Sequence, residues 1–277
     1  MRGMKAVLAT PQGLAVRDMP EPSPGPDEVL VRVRAAGLNR ADLAAAVNAD
    51  PAGRPIGMEW AGEVAAVGGA VTEVRPGDRV MCSGVGGYAE FALADRGRTI
   101  PLPDGLDFEA AAVLPIALLT MHDALVTNGR LVAGERVLIQ GASSGVGILG
   151  LQIARHLGAR QVIGSARQAD RRARLAEFGA DHAIDPADPA WPDQVLEATG
   201  GTGVDLVVDM VSGPAATLAM KATRVLGRIV NVGRLGGARA EFDFDLHALK
   251  RIDYRGVTFR TRSLQEVREI VRLMRAD

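Results

Sequence analysis

Two regions with different hydrophobic patterns meet near residue 105 of this chain. Before that point, short runs alternate apolar and polar residues, as in residues 29–35 (VLVRVRA) and 88–94 (YAEFALA), with turn-forming stretches such as PEPSPGP and RPGDR between them. Alternation with a period of two, interrupted by proline and glycine, is typical of half-buried strands in antiparallel arrangement. The first region is therefore predicted to be a mainly β domain.

After residue 105, apolar runs alternate with helical patterns. The predicted strands lie near residues 136–140, 161–165, 182–184, 205–210, 227–232 and 256–260. Strands this uniformly apolar are expected where helices cover both faces of a sheet. The second region is therefore predicted to be a doubly wound parallel sheet, which places the chain in the α/β class.

A glycine-rich loop follows the first strand of the second region. Residues 139–150 read IQGASSGVGILG, in which Gly145, Gly147 and Gly150 have the spacing G-x-G-x-x-G. Between a strand and a helix, this spacing favours a dinucleotide-binding loop over a flexible turn, because the first two glycines allow close approach to a pyrophosphate and the third lets the helix lie against the strand. The helix N-terminus would add unpaired N–H groups. The loop residues predicted to bind the cofactor are Gly141, Ala142, Ser143, Ser144, Gly145, Val146 and Gly147.

The end of the second strand indicates which nicotinamide cofactor is bound. Residues 164–172 read GSARQADRR, with no carboxylate at the strand end, where NADH-binding proteins place one against the ribose. Ser165, Arg167 and Arg171 instead offer donors to a 2′-phosphate, which favours NADPH. The alternative is that the arginines form the solvated face of the next helix, and we favour that interpretation for Arg172 and Arg174.

Composition and charge indicate a small-molecule partner. The formal net charge is −1, whereas proteins that bind nucleic acid or anionic membranes usually carry a basic excess. Cys82 is the only cysteine, which excludes an internal disulfide and suits the cytoplasm. The sequence opens without the apolar core of a signal peptide, and the longest apolar stretch, residues 110–121, is too short to span a bilayer and contains Pro115.

Several motifs in one order resemble a known family. They are GLNRAD, IGMEWAGEVAAVG, RPGDRV, GGYAEF, ALLTMHDAL, VLIQGASSGVG and FGADHAID. Together they resemble the medium-chain dehydrogenase/reductase superfamily, in its zinc-independent quinone oxidoreductase branch, and the late stretch GVTFRTRS resembles the p53-inducible subgroup of that branch. The resemblance covers essentially the whole chain.

The resemblance implies a GroES-like domain over residues 1–115 and a Rossmann domain, with strand order 3-2-1-4-5-6, over residues 116–277. It implies that NADPH lies in a cleft between the two domains, and it adds Val232, Gly233, Phe259 and Arg260 to the predicted cofactor contacts. Relatives continue after the helix SLQEVREIVRLMRAD with a segment that returns to the first domain, and that segment is expected to be absent here.

The resemblance also helps to predict whether the chain binds a catalytic zinc ion. Zinc-dependent members of the superfamily place a Cys where this chain has Asn39 and a His where it has Met58. Catalytic zinc needs three protein ligands, and Glu59 alone cannot hold the ion. The four histidines, His122, His156, His182 and His247, are scattered without ligand spacing. We predict that no metal is bound.

Without a Lewis acid, hydride acceptors that carry their own electron sink are favoured, such as a quinone or a conjugated enone. The resemblance identifies Asn39, in GLNRAD, as the candidate catalytic donor or orienter and Thr120 as a residue near the nicotinamide. Both are also predicted to contact the cofactor. The alternatives are turn chemistry for Asn39, a role as a helix-start residue for Asp42, and a bond to its own helix for Thr120.

One departure from the family concerns the substrate pocket. Many relatives have a Gly-x-Tyr-Pro segment after the asparagine, whereas residues 44–55 here read AAAVNADPAGRP, and the only tyrosines are Tyr88 and Tyr254. A tyrosine proton donor has no obvious counterpart. The leading hypothesis is an NADPH-dependent quinone or enone reductase; the alternatives are an enoyl-thioester reductase and a non-catalytic NADPH-binding protein. From the resemblance we also expect a homodimer that pairs through the sixth strand, RGVTFR at residues 255–260.

Overall fold

The computed structural model describes residues 3–48 and 53–277. The chain divides into two compact units, one formed by residues 1–116 and 264–277 and the other by residues 117–263. The stretch 44–55, where relatives carry their tyrosine segment, lies partly outside the described residues.

Within the described residues, the strands and α-helices have the following bounds. The strands are β1 (Gly3–Thr10), β2 (Gly13–Pro20), β3 (Glu28–Ala36), β4 (Glu59–Val67), β5 (Arg79–Ser83), β6 (Phe91–Asp95), β7 (Thr99–Pro101), β8 (Arg136–Ile139), β9 (Gln161–Ser165), β10 (His182–Ile184), β11 (Val204–Asp209), β12 (Thr223–Asn231) and β13 (Asp253–Gly256). The helices are α1 (Arg40–Ala46), α2 (Phe108–Ala111), α3 (Pro115–His122), α4 (Gly145–His156), α5 (Ala169–Ala173), α6 (Trp191–Ala198), α7 (Ala215–Ala222), α8 (Phe244–Lys250) and α9 (Leu264–Ala276). A π-helix spans Asp123–Asn128.

The first unit contains an antiparallel hairpin and a five-stranded antiparallel sheet. The hairpin is β1–β2, and the sheet has the order β6-β3-β4-β5-β7. Val31 lies opposite Ala92 and Trp60 opposite Cys82, so that inward-facing residues of neighbouring strands pack together. This confirms the prediction of a mainly β first region.

The second unit is built on a six-stranded parallel sheet. Its order is β10-β9-β8-β11-β12-β13, which is 3-2-1-4-5-6 when the strands are counted along the chain. In β8, Leu138 packs on one face of the sheet, and Val137 and Ile139 pack on the other. A hydrophobic cluster therefore covers each face of the sheet, as expected where helices pack on both sides. The predicted α/β class and strand order are confirmed.

The sixth strand lies earlier than the sequence predicted. β13 is Asp253–Gly256, whereas the prediction was 256–260. Val257 still donates its N–H to the Asn231 carbonyl and is buried, but the chain turns away from the sheet after it. The apolar run VTF was therefore a misleading signal, since only its valine enters the core.

The last helix groups with the first unit, whereas the resemblance implied a single Rossmann domain over residues 116–277. Arg268 of α9 pairs with Asp95, with Nε donating to Oδ1 at 2.9 Å. Its side chain crosses Gly97 so closely that a Cβ there would lie 2.5 Å from the Arg268 Cγ. These contacts attach α9 to residues 95–97 of the first unit.

One helical stretch, Phe108–Asn128, has the length and mean hydropathy, 1.6, of a membrane-spanning helix. It extends beyond the apolar run 110–121 that the sequence analysis had judged too short. However, 56% of the most apolar 18 residues of this stretch is buried inside the protein, and core helices of folded domains have the same length and hydropathy. The stretch is therefore only weak evidence for a membrane-spanning helix.

Candidate cofactor and active site

The glycine-rich loop is held in place by hydrogen bonds to the end of β9 and within the loop itself. Gly141, at φ +73°, donates its N–H to the Ser165 hydroxyl oxygen at 3.0 Å, and Ala142 donates to the Ser165 carbonyl at 2.9 Å. Ser144 caps α4: its Oγ accepts from the Gly147 N–H at 3.1 Å and donates to the Gly141 carbonyl at 2.9 Å. Among the described residues, no partner engages the N–H groups of Gly145 and Val146 at the start of the helix. Such a helix start is suited to bind an anion.

The three fingerprint glycines have different roles. A Cβ at Gly145 would meet nothing within 4 Å, so this glycine leaves open space in front of the helix. A Cβ at Gly147 would lie 2.5 Å from the Gly141 carbonyl oxygen, so this glycine is required by the loop itself. A Cβ at Gly150 would lie 2.9 Å from the Met121 sulfur. Gly150 therefore lets α4 approach the α3 residue Met121, and the predicted reason, packing on the strand, was wrong.

The three residues predicted to bind the 2′-phosphate, at and after the end of β9, lie in different surroundings. Ser165 is 1% exposed, and its hydroxyl oxygen accepts from the glycine loop, so it holds the loop; its contact with a phosphate stays a prediction. Arg167 and Arg171 are exposed and make no ion pair among the described residues. Arg174 forms an exposed pair with Glu177, as expected for a solvated helix face.

The remaining predicted cofactor contacts follow the last two strands. Val232 and Gly233 come directly after β12 and donate their N–H groups to the Asp209 carbonyl at 2.8 and 3.1 Å. Phe259 and Arg260 lie in the turn after β13, where Phe259 is half-buried and Arg260 exposed. Since the carboxyl ends of parallel strands share one edge, the sheet brings these residues to the same edge as the glycine loop.

Thr120 lies half-buried on α3, shortly before the π-helix. The first π-helical residue, Asp123, is 1% exposed and accepts from Arg262 Nη2 at 2.6 Å. Burial raises the pKa of Asp123, and the Arg262 guanidinium opposes that rise. Arg262 also lies over the Phe259 ring, 5.3 Å from its centroid. The π-helix and the turn after β13 are therefore fastened together.

Asn39 lies in the first unit, at the N-cap of α1. Its side-chain Nδ2 donates to Glu59 Oε1 at 2.8 Å, and the N–H of Ile116 donates to Glu59 Oε2 at 2.8 Å. Glu59 is 3% exposed, and this burial raises its pKa, while the two donors lower it. Gly37 must be glycine because a Cβ there would lie 2.5 Å from Glu59 Oε1. The motif GLNRAD thus places one amide against a buried carboxylate.

Asp42 fixes the start of the same helix. Its Oδ2 accepts from the Asn39 backbone N–H at 2.8 Å and from the Tyr88 hydroxyl at 2.7 Å. These bonds support the interpretation of Asp42 as a helix-start residue. Burial, followed by the bond to Asp42, raises the pKa of Tyr88 well above its usual range.

The described residues, 3–48 and 53–277, contain no group of three or more His, Cys, Asp or Glu side chains that could hold a metal ion. Cys82 is buried, and its thiol donates a hydrogen bond to the Thr99 hydroxyl oxygen. Burial raises the pKa of this thiol to about 12. The expectation that the chain functions without a metal stays a prediction.

Sequence reasoning did not identify four side chains that shape these sites. They are Glu59 as the acceptor for Asn39, Asp123 with its partner Arg262, and Arg172, whose contacts are described below. Each contacts residues between 5 and 139 positions away along the chain. No period of two or 3.6 residues reports such contacts, although a charged residue inside an apolar helix, as at Asp123, was a usable signal.

Comparison with known families identifies both units. Residues 25–104 match the alcohol dehydrogenase GroES-like domain, and residues 145–276 match the zinc-binding dehydrogenase family. The first match confirms the GroES-like domain that the sequence motifs implied.

Individual relatives and one solved structure are similar over most of this chain. A quinone oxidoreductase from Pseudomonas aeruginosa is 35% identical over 84% of this chain and 73% of its own length. A mycocerosic acid synthase-like polyketide synthase from Mycolicibacterium smegmatis is 33% identical over 84% of this chain, but the chain spans only 11% of that protein. The structure of a mycobacterial protein complexed with NADPH has a TM-score of 0.85 and 29% identity, covering 99% of this chain and 86% of that one. The chain therefore belongs to the medium-chain dehydrogenase/reductase family, in its zinc-independent quinone oxidoreductase branch.

Proposed function

We propose that this protein is an NADPH-dependent reductase that transfers hydride to a quinone or a conjugated enone. The observation that carries the proposal is the pair of exposed arginines without an ion pair among the described residues, Arg167 just after β9 and Arg171 in α5. The relatives support it, since one is a quinone oxidoreductase and a similar structure was solved with NADPH.

The residues of the second unit fit NADPH. The open space at Gly145 and the free N–H groups of Gly145 and Val146 suit a pyrophosphate. No carboxylate replaces the arginines at the end of β9, and guanidinium donors match a phosphate dianion. When bound, NADPH would supply the hydride, and the chain's own residues would bind and orient it.

Asn39 is the candidate residue on the substrate side. One hydrogen of its amide is used by Glu59, which leaves the second Nδ2 hydrogen for a ligand. An amide fixed in this way can stabilise charge that develops on a conjugated oxygen, but it carries no proton to give. We propose that Asn39 orients the acceptor or the nicotinamide ribose and that the proton comes from elsewhere.

An enoyl-thioester reductase is the second candidate. It is favoured by the 33% identity to a segment of a polyketide synthase. The non-catalytic alternative would bind NADPH on the same scaffold. All three functions predict a small-molecule or acyl-thioester ligand and no nucleic-acid partner.

An NADPH-oxidation assay against quinones, enones and enoyl thioesters separates these functions. Turnover with quinones or enones, unaffected by exhaustive chelation, is the expected result. A strong preference for the thioester would select the second candidate. Tight NADPH binding with no turnover of any acceptor would select the non-catalytic protein, and stoichiometric zinc after purification would contradict the metal-free proposal.

We also propose that the protein is a homodimer whose two parallel sheets pair through β13. β13 is an edge strand of four residues, and an unpaired edge is a template for another strand. Sedimentation at micromolar concentration tests this, and a monomer would contradict it.

A further inference from the structure

Arg172 occupies a different position from the two arginines around it. Its Nη1 donates to the carbonyl oxygens of Ala166 at 2.8 Å and Arg167 at 3.1 Å, and it pairs with Asp185 Oδ2 at 3.1 Å. Its side chain is 23% exposed, against 65% for Arg174. Arg172 therefore does not belong to the solvated face of α5, which corrects the interpretation drawn from the sequence.

These contacts fix the turn that follows β9. Two successive carbonyls of the turn point at one guanidinium, and the Ala166 N–H is held by the Ile184 carbonyl of β10 at 3.2 Å. The backbone from which Arg167 projects is thus constrained from both sides. All three contacts are made by Nη1, so one end of the guanidinium meets both carbonyls and the Asp185 carboxylate.

The same contacts neutralise an acid beside the cofactor-binding strand. Asp185 follows β10, in which Ile184 pairs with Ser165 of β9, and it is itself held by the Ala187 N–H at 3.0 Å. An acid near the end of the second strand is what proteins that select NADH use to bind the ribose hydroxyl. A free Asp185 carboxylate would repel a 2′-phosphate, and Arg172 balances its charge.

We propose that Arg172 is a positioning residue for cofactor choice. It holds the turn from which Arg167 projects, and it neutralises the Asp185 carboxylate, so that NADPH is preferred over NADH. This inference rests on the proposed NADPH-dependent function. Arg172 acts through Arg167 and Asp185 and is not itself required to touch the cofactor.

The test measures the dissociation constants of NADPH and NADH for the whole chain and takes their ratio. The variant is Arg172→Met, and the control is Arg174→Met. The control removes the same charge two residues further along the chain, from a side chain that forms an exposed ion pair with Glu177. We expect Arg172→Met to reduce the preference for NADPH roughly tenfold or more, as expected for lost charged hydrogen bonds, with NADH affinity nearly unchanged. Arg174→Met should change the ratio by less than about twofold, as exposed pairs contribute little.

A second pair of variants keeps the test decisive if Arg172→Met folds poorly. Asp185→Asn alone removes the acid and leaves Arg172 charged, so the preference for NADPH should hold or increase. Adding Asp185→Asn to Arg172→Met should restore part of the lost preference. If each variant binds NADH with the same affinity as the protein without substitutions, its fold is retained.

Three results would overturn the inference. A preference preserved in Arg172→Met would show that Arg172 does not position the site. An equal loss in Arg174→Met would reduce the effect to net charge, and a reduced preference in Asp185→Asn alone would contradict the masking of the acid. Equal affinities of the unmodified protein for the two cofactors would instead overturn the proposed NADPH dependence, and this inference with it.

Discussion

The side-chain amide of Asn39 and the carboxylate of Glu59, 20 residues apart in sequence, are joined by a hydrogen bond of 2.8 Å. The other Glu59 oxygen accepts from the Ile116 N–H. Because both oxygens accept from donors, Glu59→Gln cannot satisfy both, since one end of the new side chain is itself a donor. We expect a loss of about 1–3 kcal/mol in the free energy of unfolding, measured by denaturant titration.

The pH dependence of that stability follows from the burial of Glu59. Burial raises the folded-state pKa above the ordinary value of 4.5. An acid with a raised folded pKa favours the folded state at low pH, and this contribution is lost as pH rises from about 4.5 through the folded pKa. The unmodified protein should therefore lose stability relative to Glu59→Gln across that window, and parallel pH profiles of the two proteins would contradict this assignment.

The glycine loop predicts a separation between cofactor binding and folding. Gly145→Val should leave the loop folded, because a Cβ there meets nothing, but should abolish NADPH binding by filling the space in front of the helix. Gly147→Ala is the contrasting variant, since its Cβ meets the Gly141 carbonyl at 2.5 Å and should destabilise the loop itself. Calorimetric titration with NADPH and thermal unfolding measure the two effects. Tight binding by Gly145→Val would show that the phosphates lie elsewhere.

The two exposed arginines predict cofactor specificity. Replacing Arg167 and Arg171 together by Ala should remove most of the preference for NADPH over NADH, since charge-assisted hydrogen bonds contribute on the order of 1.5–3 kcal/mol each. NADH affinity should change little, because that cofactor lacks the 2′-phosphate. Comparable losses for both cofactors would place the arginines elsewhere on the cofactor.

The fold and the cofactor site could be predicted from sequence to different depths. Most strands, the loop at Gly141–Gly147 and the free arginines followed from local patterns, because each depends on residues close together in the chain. The strand order followed from the family resemblance. The sixth strand was misplaced because Val257 enters the core while Thr258 and Phe259 turn away. The contacts of α9 with the first unit were not predicted, because the ion pair of Arg268 with Asp95 spans 173 residues and leaves no periodic signal.

The ion pair of Arg262 with Asp123 predicts a large effect on stability. Asp123 is 1% exposed, so Arg262→Met would leave a buried carboxylate without its partner, at a cost of about 3–5 kcal/mol. Asp123→Asn, which removes that charge, should cost less. Denaturant unfolding of both variants measures the difference in their free energies of unfolding. If Arg262→Met costs less than Asp123→Asn, the buried carboxylate does not depend on Arg262.

Single-turnover hydride transfer tests the proposed function most directly. The protein is preloaded with NADPH and mixed with a small naphthoquinone, and loss of reduced-nicotinamide absorbance is followed by stopped flow. The unmodified protein should oxidise its bound NADPH in a rapid phase, and Asn39→Ala should slow that phase by no more than roughly 10²- to 10³-fold while binding NADPH as before. Bound NADPH that stays reduced in the unmodified protein, with quinones and enones alike, would contradict the assignment of this chain as a reductase.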